Sequence, residues 1–235
     1  MKFYFVVEGR QTEKKVYAAW TQLVFPDLVQ QRSSLPEIQE DQFFIFSSGG
    51  YPFSGNLLTH VVNDLKRTPV DHLFVCVDAE DEAVATRRAR IEQELAGLKC
   101  PCPYHVIIAN RCMESWFLGN RKMMTHRPEG HSTLHTFWEH YDVRTRDPED
   151  MPHPGETVFQ GTTAEYHQKY LKEMFRAKGL RYSKEFPGET QDEHYFDALV
   201  ERRRETNHLA SFGQLIDTWS GLGSPRLKAI RNGRS

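Results

Sequence analysis

The chain has 235 residues, 39% of them hydrophobic, with a formal net charge of −2. That length suits one large domain or one domain with an appendage, and the charge excludes a global pull toward nucleic acid, so any such binding must come from local patches. No apolar run approaches the ~20 residues a membrane helix needs, and the N-terminus lacks the regions of a secretion signal, so a cytoplasmic protein with no membrane partner is expected.

The chain opens on an apolar run, Phe3 to Val7, rich in β-branched and aromatic residues as a buried strand should be. It stops on Glu8, and Gly9 follows. Thr12 reads as a helix N-cap, with Glu13 in the first turn and Val16, Tyr17, Trp20 and Val24 spaced for one helical face. A loop from Pro26 to Asp41, broken by Ser33, Ser34 and Pro36, leads to a second strand, Gln42 to Ser47. A turn over Ser48 to Pro52 precedes a helix from Gly55 to Arg67, striped by Leu57, Leu58, Val61, Val62 and Leu65. Val70 to Val77 is the third strand and ends on Asp78. Glu82 to Leu98 reads as a strong helix, Pro103 to Ala109 as the fourth strand, and Met113 to Leu118 as the first turns of another helix.

Strand and helix thus alternate through about 120 residues, the pattern of βαβ units and a mostly parallel sheet flanked by helices. Right-handed crossovers then put the strand ends carrying Glu8 and Asp78 on one edge, where ligands bind in open α/β sheets. Residues 121 to 160 carry five histidines and four prolines and read as an irregular insertion or linker with one short helix near Leu134 to Tyr141. From 161 on the pattern is helical, over Ala164 to Lys178, Glu193 to Arg204 and Leu209 to Gly221. The last eleven residues read as a frayed basic tail. Arg202-Arg203-Arg204 reads as a solvated, ion-paired face with an alternative role on phosphate. Cys76, Cys100, Cys102 and Cys112 read as reduced thiols, since none has the paired spacing of a zinc site.

The chemistry-bearing stretch is Asp78-Ala79-Glu80-Asp81-Glu82. Four carboxylates in five residues repel one another unless a counter-charge relieves them. A hard divalent cation such as Mg²⁺ would do so, and strand alternation puts Asp78 and Glu80 on one side if the extended conformation continues. A solvated acidic loop capping the following helix is the plainer alternative. Arg10 and Arg111 lie near the same edge, as does the Gly9 turn into the first helix, and could receive phosphate.

These phrases resemble the TOPRIM domain shared by topoisomerases, bacterial primases and OLD-type nucleases. That family has a Glu-Gly after the first strand and an Asp-x-Asp after the third. Val7-Glu8-Gly9-Arg10-Gln11-Thr12-Glu13 and Glu114-Ser115-Trp116-Phe117-Leu118 are similar to motifs of the small stand-alone RloB and DUF4276 type. The resemblance covers residues 1 to about 120, and departs from the pattern at Glu80. It implies a TOPRIM-like α/β domain with a helical C-terminal region, and phosphodiester cleavage of DNA or RNA, transfer RNA included, dependent on Mg²⁺ or Mn²⁺. It assigns the metal to Glu8, Glu13, Asp78, Glu80 and Asp81, with Glu8, Asp78, Glu80 and Glu114 as catalytic groups and Lys184 delivered from the C-terminal part. It also implies an effector of bacterial anti-phage defence, partnered by an ABC- or SMC-like ATPase, and leaves oligomerisation open. The alternative is an interaction module of the same fold with weak chemistry, binding a partner ATPase or a nucleotide signal.

Overall fold

The computed structural model describes residues 1–32, 38–49, 55–126 and 130–231. It is an α/β protein built on a five-stranded, all-parallel, Rossmann-like sheet flanked by helices, with a helical C-terminal part. The strands are β1 (Lys2–Val7), β2 (Val29–Gln31), β3 (Gln42–Ser47), β4 (His72–Asp78) and β5 (Tyr104–Ala109), in the order β2-β3-β1-β4-β5. β1 is central, with Phe5 paired to Ile45 on one side and to Phe74 on the other. Its residues 3–7 are buried on both faces, which explains why the run shows no polar alternation.

Two compact units share the chain. One comprises Met1–Val77, Ala83–Ile108 and Leu215–Ser235; the other comprises Asp78–Glu82 and Ala109–Gln214. These bounds differ from the sequence division at residues 120 and 160, because the chain enters the second unit directly from the tips of β4 and β5 and returns to the first at its end.

In the first unit, α1 (Thr12–Val24), α2 (Gly55–Arg67) and α3 (Val84–Gly97) connect the strands. Phe5 stacks on Phe74 at 4.5 Å and meets the Tyr17 ring of α1 at 6.1 Å, tying helix to sheet through aromatic burial. β2 is an edge strand that the sequence reading leaves in a loop. Its three residues, Val-Gln-Gln, are too few and too polar to show a period. Residues 33–37 of that loop, and most of the turn expected over Ser48 to Pro52, lie outside the described residues. The expected frayed tail is also corrected. α9 (Pro225–Arg231) is a helix with Leu227 buried, and the Ser224 hydroxyl donates to the Val24 carbonyl at 2.7 Å. The Phe25 and Trp219 rings meet edge to face at 6.5 Å in the same unit.

The second unit holds α4 (Met113–Phe117), α5 (Ser132–His140), α6 (Thr163–Ala177), α7 (Glu193–Glu205) and the start of α8 (Ala210–Gly221). Arg202 is not a solvated or phosphate-facing group. It is fully buried, and its guanidinium donates to the carbonyls of Gly119, Val143 and Arg146 at 3.1, 2.7 and 2.6 Å. Glu149 is likewise buried and accepts from the Ser211 amide and hydroxyl at the start of α8. The stretch from 141 to 151 is therefore irregular in shape but fixed by side-chain hydrogen bonds.

Candidate functional site

In the first unit the candidate residues surround the turn from β1 into α1. Glu8 is 5% exposed, and its carboxylate meets the Arg87 guanidinium of α3 at 3.2 Å. Arg87 is itself 2% exposed and shares the inward stripe of α3 with Ile91 and Leu95. The pair is a buried ion pair, and sequence reasoning missed its basic half. The signal was present: Arg87 lies four and eight residues before two apolar positions, so a cation sits in the inward register.

Glu13 lies in the first turn of α1, and its carboxylate folds back over Gly9. A Cβ at Gly9 would fall 1.8 Å from a Glu13 carboxylate oxygen, so the space a phosphate would need above the glycine is filled by an acid. The Gly9 carbonyl accepts from the Ser47 hydroxyl at 2.9 Å. Arg10 is exposed and donates through Nε to the Gly49 carbonyl at 3.0 Å. Thr12, expected as the N-cap, is the first helical residue, with Gln11 in the cap position.

In the second unit the candidates surround the tip of β4 and the start of α4. Asp78 is half-buried, and its Oδ1 accepts from the Met113 amide at 3.1 Å. The extended conformation does not continue beyond it. Glu80 adopts φ +53°, and the Glu82 amide closes a turn onto the Ala79 carbonyl at 3.0 Å. The expectation that Asp78 and Glu80 share a side by strand alternation therefore fails at the turn.

Arg111 faces this turn with φ +65°. The Glu80 amide donates to the Arg111 carbonyl at 2.8 Å, and the Arg111 guanidinium donates to the Glu80 carbonyl at 3.3 Å. Two non-glycine residues in the left-handed region, bonded to each other, store strain of a few kcal/mol, by the ~1–3 kcal/mol typical of each. Asp81 is mostly exposed, 3.9 Å from Arg111.

Glu114, in the first turn of α4, is 4% exposed. It accepts from the Tyr182 hydroxyl at 2.9 Å and from the Gln168 amide at 3.4 Å, neither anticipated as a site residue. Asp78 and Glu114 both act on Cys112: burial first, then the charges of Glu114 and Asp78, push its thiol well above the ordinary range. Lys184 is exposed on the turn that follows Tyr182.

One polar cluster near these groups is buried away from solvent. Ser115 Oγ bonds His167 Nδ1 at 2.8 Å, and the other ring nitrogen lies 2.9 Å from the Met151 carbonyl. This resembles a nucleophile and its base, but both side chains are fully buried. In the first unit, at the other edge of the sheet, hydrogen bonding from Cys102, partly opposed by burial, lowers the Cys100 thiol from its ordinary range. All four cysteines are free.

Among the described residues no group of three or more His, Cys, Asp or Glu side chains is arranged to hold a metal ion. The donors at the β4 tip are nonetheless all carboxylates, the chemistry that suits Mg²⁺ or Mn²⁺. The fit is therefore limited to an ion held by one or two carboxylates and completed by water and substrate oxygens. Among the described residues no helix is long and apolar enough to cross a membrane. No protein-family model, no curated protein and no solved structure matches this chain.

Proposed function

We propose that this protein is a metal-dependent nuclease whose centre lies in the second unit, at the tip of β4 and the start of α4. The observation that carries the reading is that Asp78 and Glu114, far apart in sequence, meet at the start of α4, where Asp78 accepts from the Met113 amide and Glu114 is the next residue. Asp78, with Glu80 or Asp81 beside it, would hold Mg²⁺ or Mn²⁺; when bound, the ion supplies Lewis-acid polarisation of a phosphoryl oxygen. Arg111, anchored on the Glu80 backbone, binds a phosphate oxygen of the DNA or RNA strand. Glu114 fixes the Tyr182 hydroxyl and so orients the segment that carries Lys184, whose ammonium faces the charge that develops on phosphate. The Glu80–Arg111 strain is the kind that accumulates where a site must be held in one shape. Action with an ABC- or SMC-like ATPase in anti-phage defence belongs to the same proposal.

One observation favours the second reading, a binding module with weak chemistry. Glu8, the first acid of the resembled motif, is occupied by Arg87. The readings separate on Asp78→Asn, which keeps an acceptor for the Met113 amide. A nuclease loses Mg²⁺-dependent cleavage of a mixed RNA and DNA substrate set at least ~100-fold in this variant, as loss of a key electrostatic group does. Wild-type cleavage in the variant, or no cleavage by the wild type with either ion, removes the nuclease and leaves the binding module.

A further inference from the structure

The second unit contains a cavity of about 600 Å³ to which the residues above assign nothing beyond Tyr182. Lys172, Glu173 and Arg176 of α6 line one part of it; Arg181, Ser183 and Phe186 of the following loop line another. Phe186 is 62% exposed, the most exposed large hydrophobic side chain among the described residues. It is not on a loose loop. The Phe186 amide donates to the Ser183 carbonyl at 3.0 Å, and the Ser183 amide donates back to the Phe186 carbonyl at 2.9 Å. The ring is thus presented on a closed four-residue turn.

The charged side chains that line the cavity are mostly basic. Three basic side chains line the cavity against one acid, Glu173, which is nearly buried. Glu173 is matched by Lys169 at 2.8 Å and by Arg176 at 3.7 Å. Arg176 keeps 77% of its side chain exposed. A planar apolar face beside cations, on a chain whose net charge is −2, is a local feature and not a reflection of overall charge.

We propose that this cavity binds an unpaired nucleotide of a single-stranded nucleic acid, with the base stacked on Phe186 and the phosphate on Lys172, Arg176 and Arg181. Every base has a face that can stack on an aromatic ring, and cations following the backbone supply the rest, so binding of this kind tolerates sequence. A duplex cannot use the ring, because its bases are already stacked on each other. Tyr182 lines the same cavity and donates to Glu114, so a strand seated here is held next to that carboxylate.

The test is binding, not cleavage, so it fails separately from the nuclease reading. A fluorescein-labelled single-stranded 12-mer and its duplex are titrated with the full-length protein in EDTA, followed by anisotropy. The single strand binds more tightly than the duplex. Phe186→Ala weakens it about tenfold and Phe186→Trp does not, in line with the worth of one stacked base. Arg181→Gln weakens it and lowers the salt slope by about one. A free mononucleotide that competes at equal concentration of phosphate assigns the cavity to a small nucleotide and overturns the strand. Equal binding of duplex and single strand, or a Phe186→Ala affinity within twofold of wild type, also overturns it and leaves the ring as a protein contact.

Discussion

Glu8 and Glu114 are nearly inaccessible to the same degree, at 5% and 4% exposure, yet what holds them differs in kind. In the first unit Glu8 faces a buried guanidinium, so the charge is cancelled where it stands. In the second, Glu114 is held by a tyrosine hydroxyl and a glutamine amide, both neutral donors. An ion-paired carboxylate is committed to its partner, whereas one held by neutral donors is oriented without a cation. The difference is why the proposed centre includes Glu114, as the group that positions Tyr182, and leaves out the glutamate with the more familiar sequence context.

The comparison breaks first at the ion pair. Removing one partner of a buried pair leaves the other charged and desolvated, which costs about 3–5 kcal/mol. Glu8→Gln and Arg87→Met are each expected to lose that much in urea unfolding, and the double variant to recover most of it, giving a large coupling in a double-mutant cycle. Single variants within about 1 kcal/mol of wild type, or additive losses, would return Glu8 to the set of available ligands.

The sequence made most of the scaffold readable and less of the site, for reasons that individual residues show. The α2 stripe of Leu58, Val61, Val62 and Leu65 is apolar at helical spacing, and the helix occurs with the expected bounds, Gly55–Arg67. α9 was masked by composition, because its basic residues outnumber the single apolar anchor, Leu227. The site depended on pairings between distant segments. Arg87 looked like one more charge on a charged helix, and only its register with Ile91 and Leu95 marked it as inward. Glu80 was placed by assuming that a strand continued; the left-handed turn that stops it is stabilised by Arg111, thirty-one residues later. Tyr182 is sixty-eight residues from the carboxylate it serves, and no local pattern connects them.

Acid should sharpen the contrast next. Burial, only partly offset by the Met151 carbonyl, lowers His167 in the second unit from its ordinary 6.5 to about 4. The unfolded chain therefore takes up the proton first. His167's contribution is complete above about pH 6.5 and is lost as pH falls toward 4, by about 3 kcal/mol at most at ~1.4 kcal/mol per pH unit. His72 and His105 in the first unit are lowered in the same sense, but burial is only partial there. Hydrogen exchange at pH 5 against pH 7 is expected to show residues 109–214 losing protection before β1 and β4. In His167→Gln the fall in Tm over this interval should flatten. An unchanged slope would mean that the burial of His167 is not what makes this unit acid-sensitive.

The smallest expected effect isolates the hydroxyl on Glu114. Tyr182→Phe keeps the ring, which packs edge-on against Phe117 at 6.0 Å and beside Phe175 at 5.6 Å, and removes only the donor. A hydrogen bond to a charged group is worth about 1.5–3 kcal/mol, and a buried carboxylate left with the longer Gln168 contact should lose a value near the lower end. The loss should barely respond to salt, because a neutral donor has been removed and no ion pair broken. Cleavage should fall with Tyr182→Phe if Glu114 orients the segment bearing Lys184, and strand binding in EDTA should hold, since Phe186 and the cavity's cations are untouched. If binding collapsed along with cleavage, the tyrosine would belong to the nucleotide's own contact surface, and Glu114 would act on the strand by holding that ring in place.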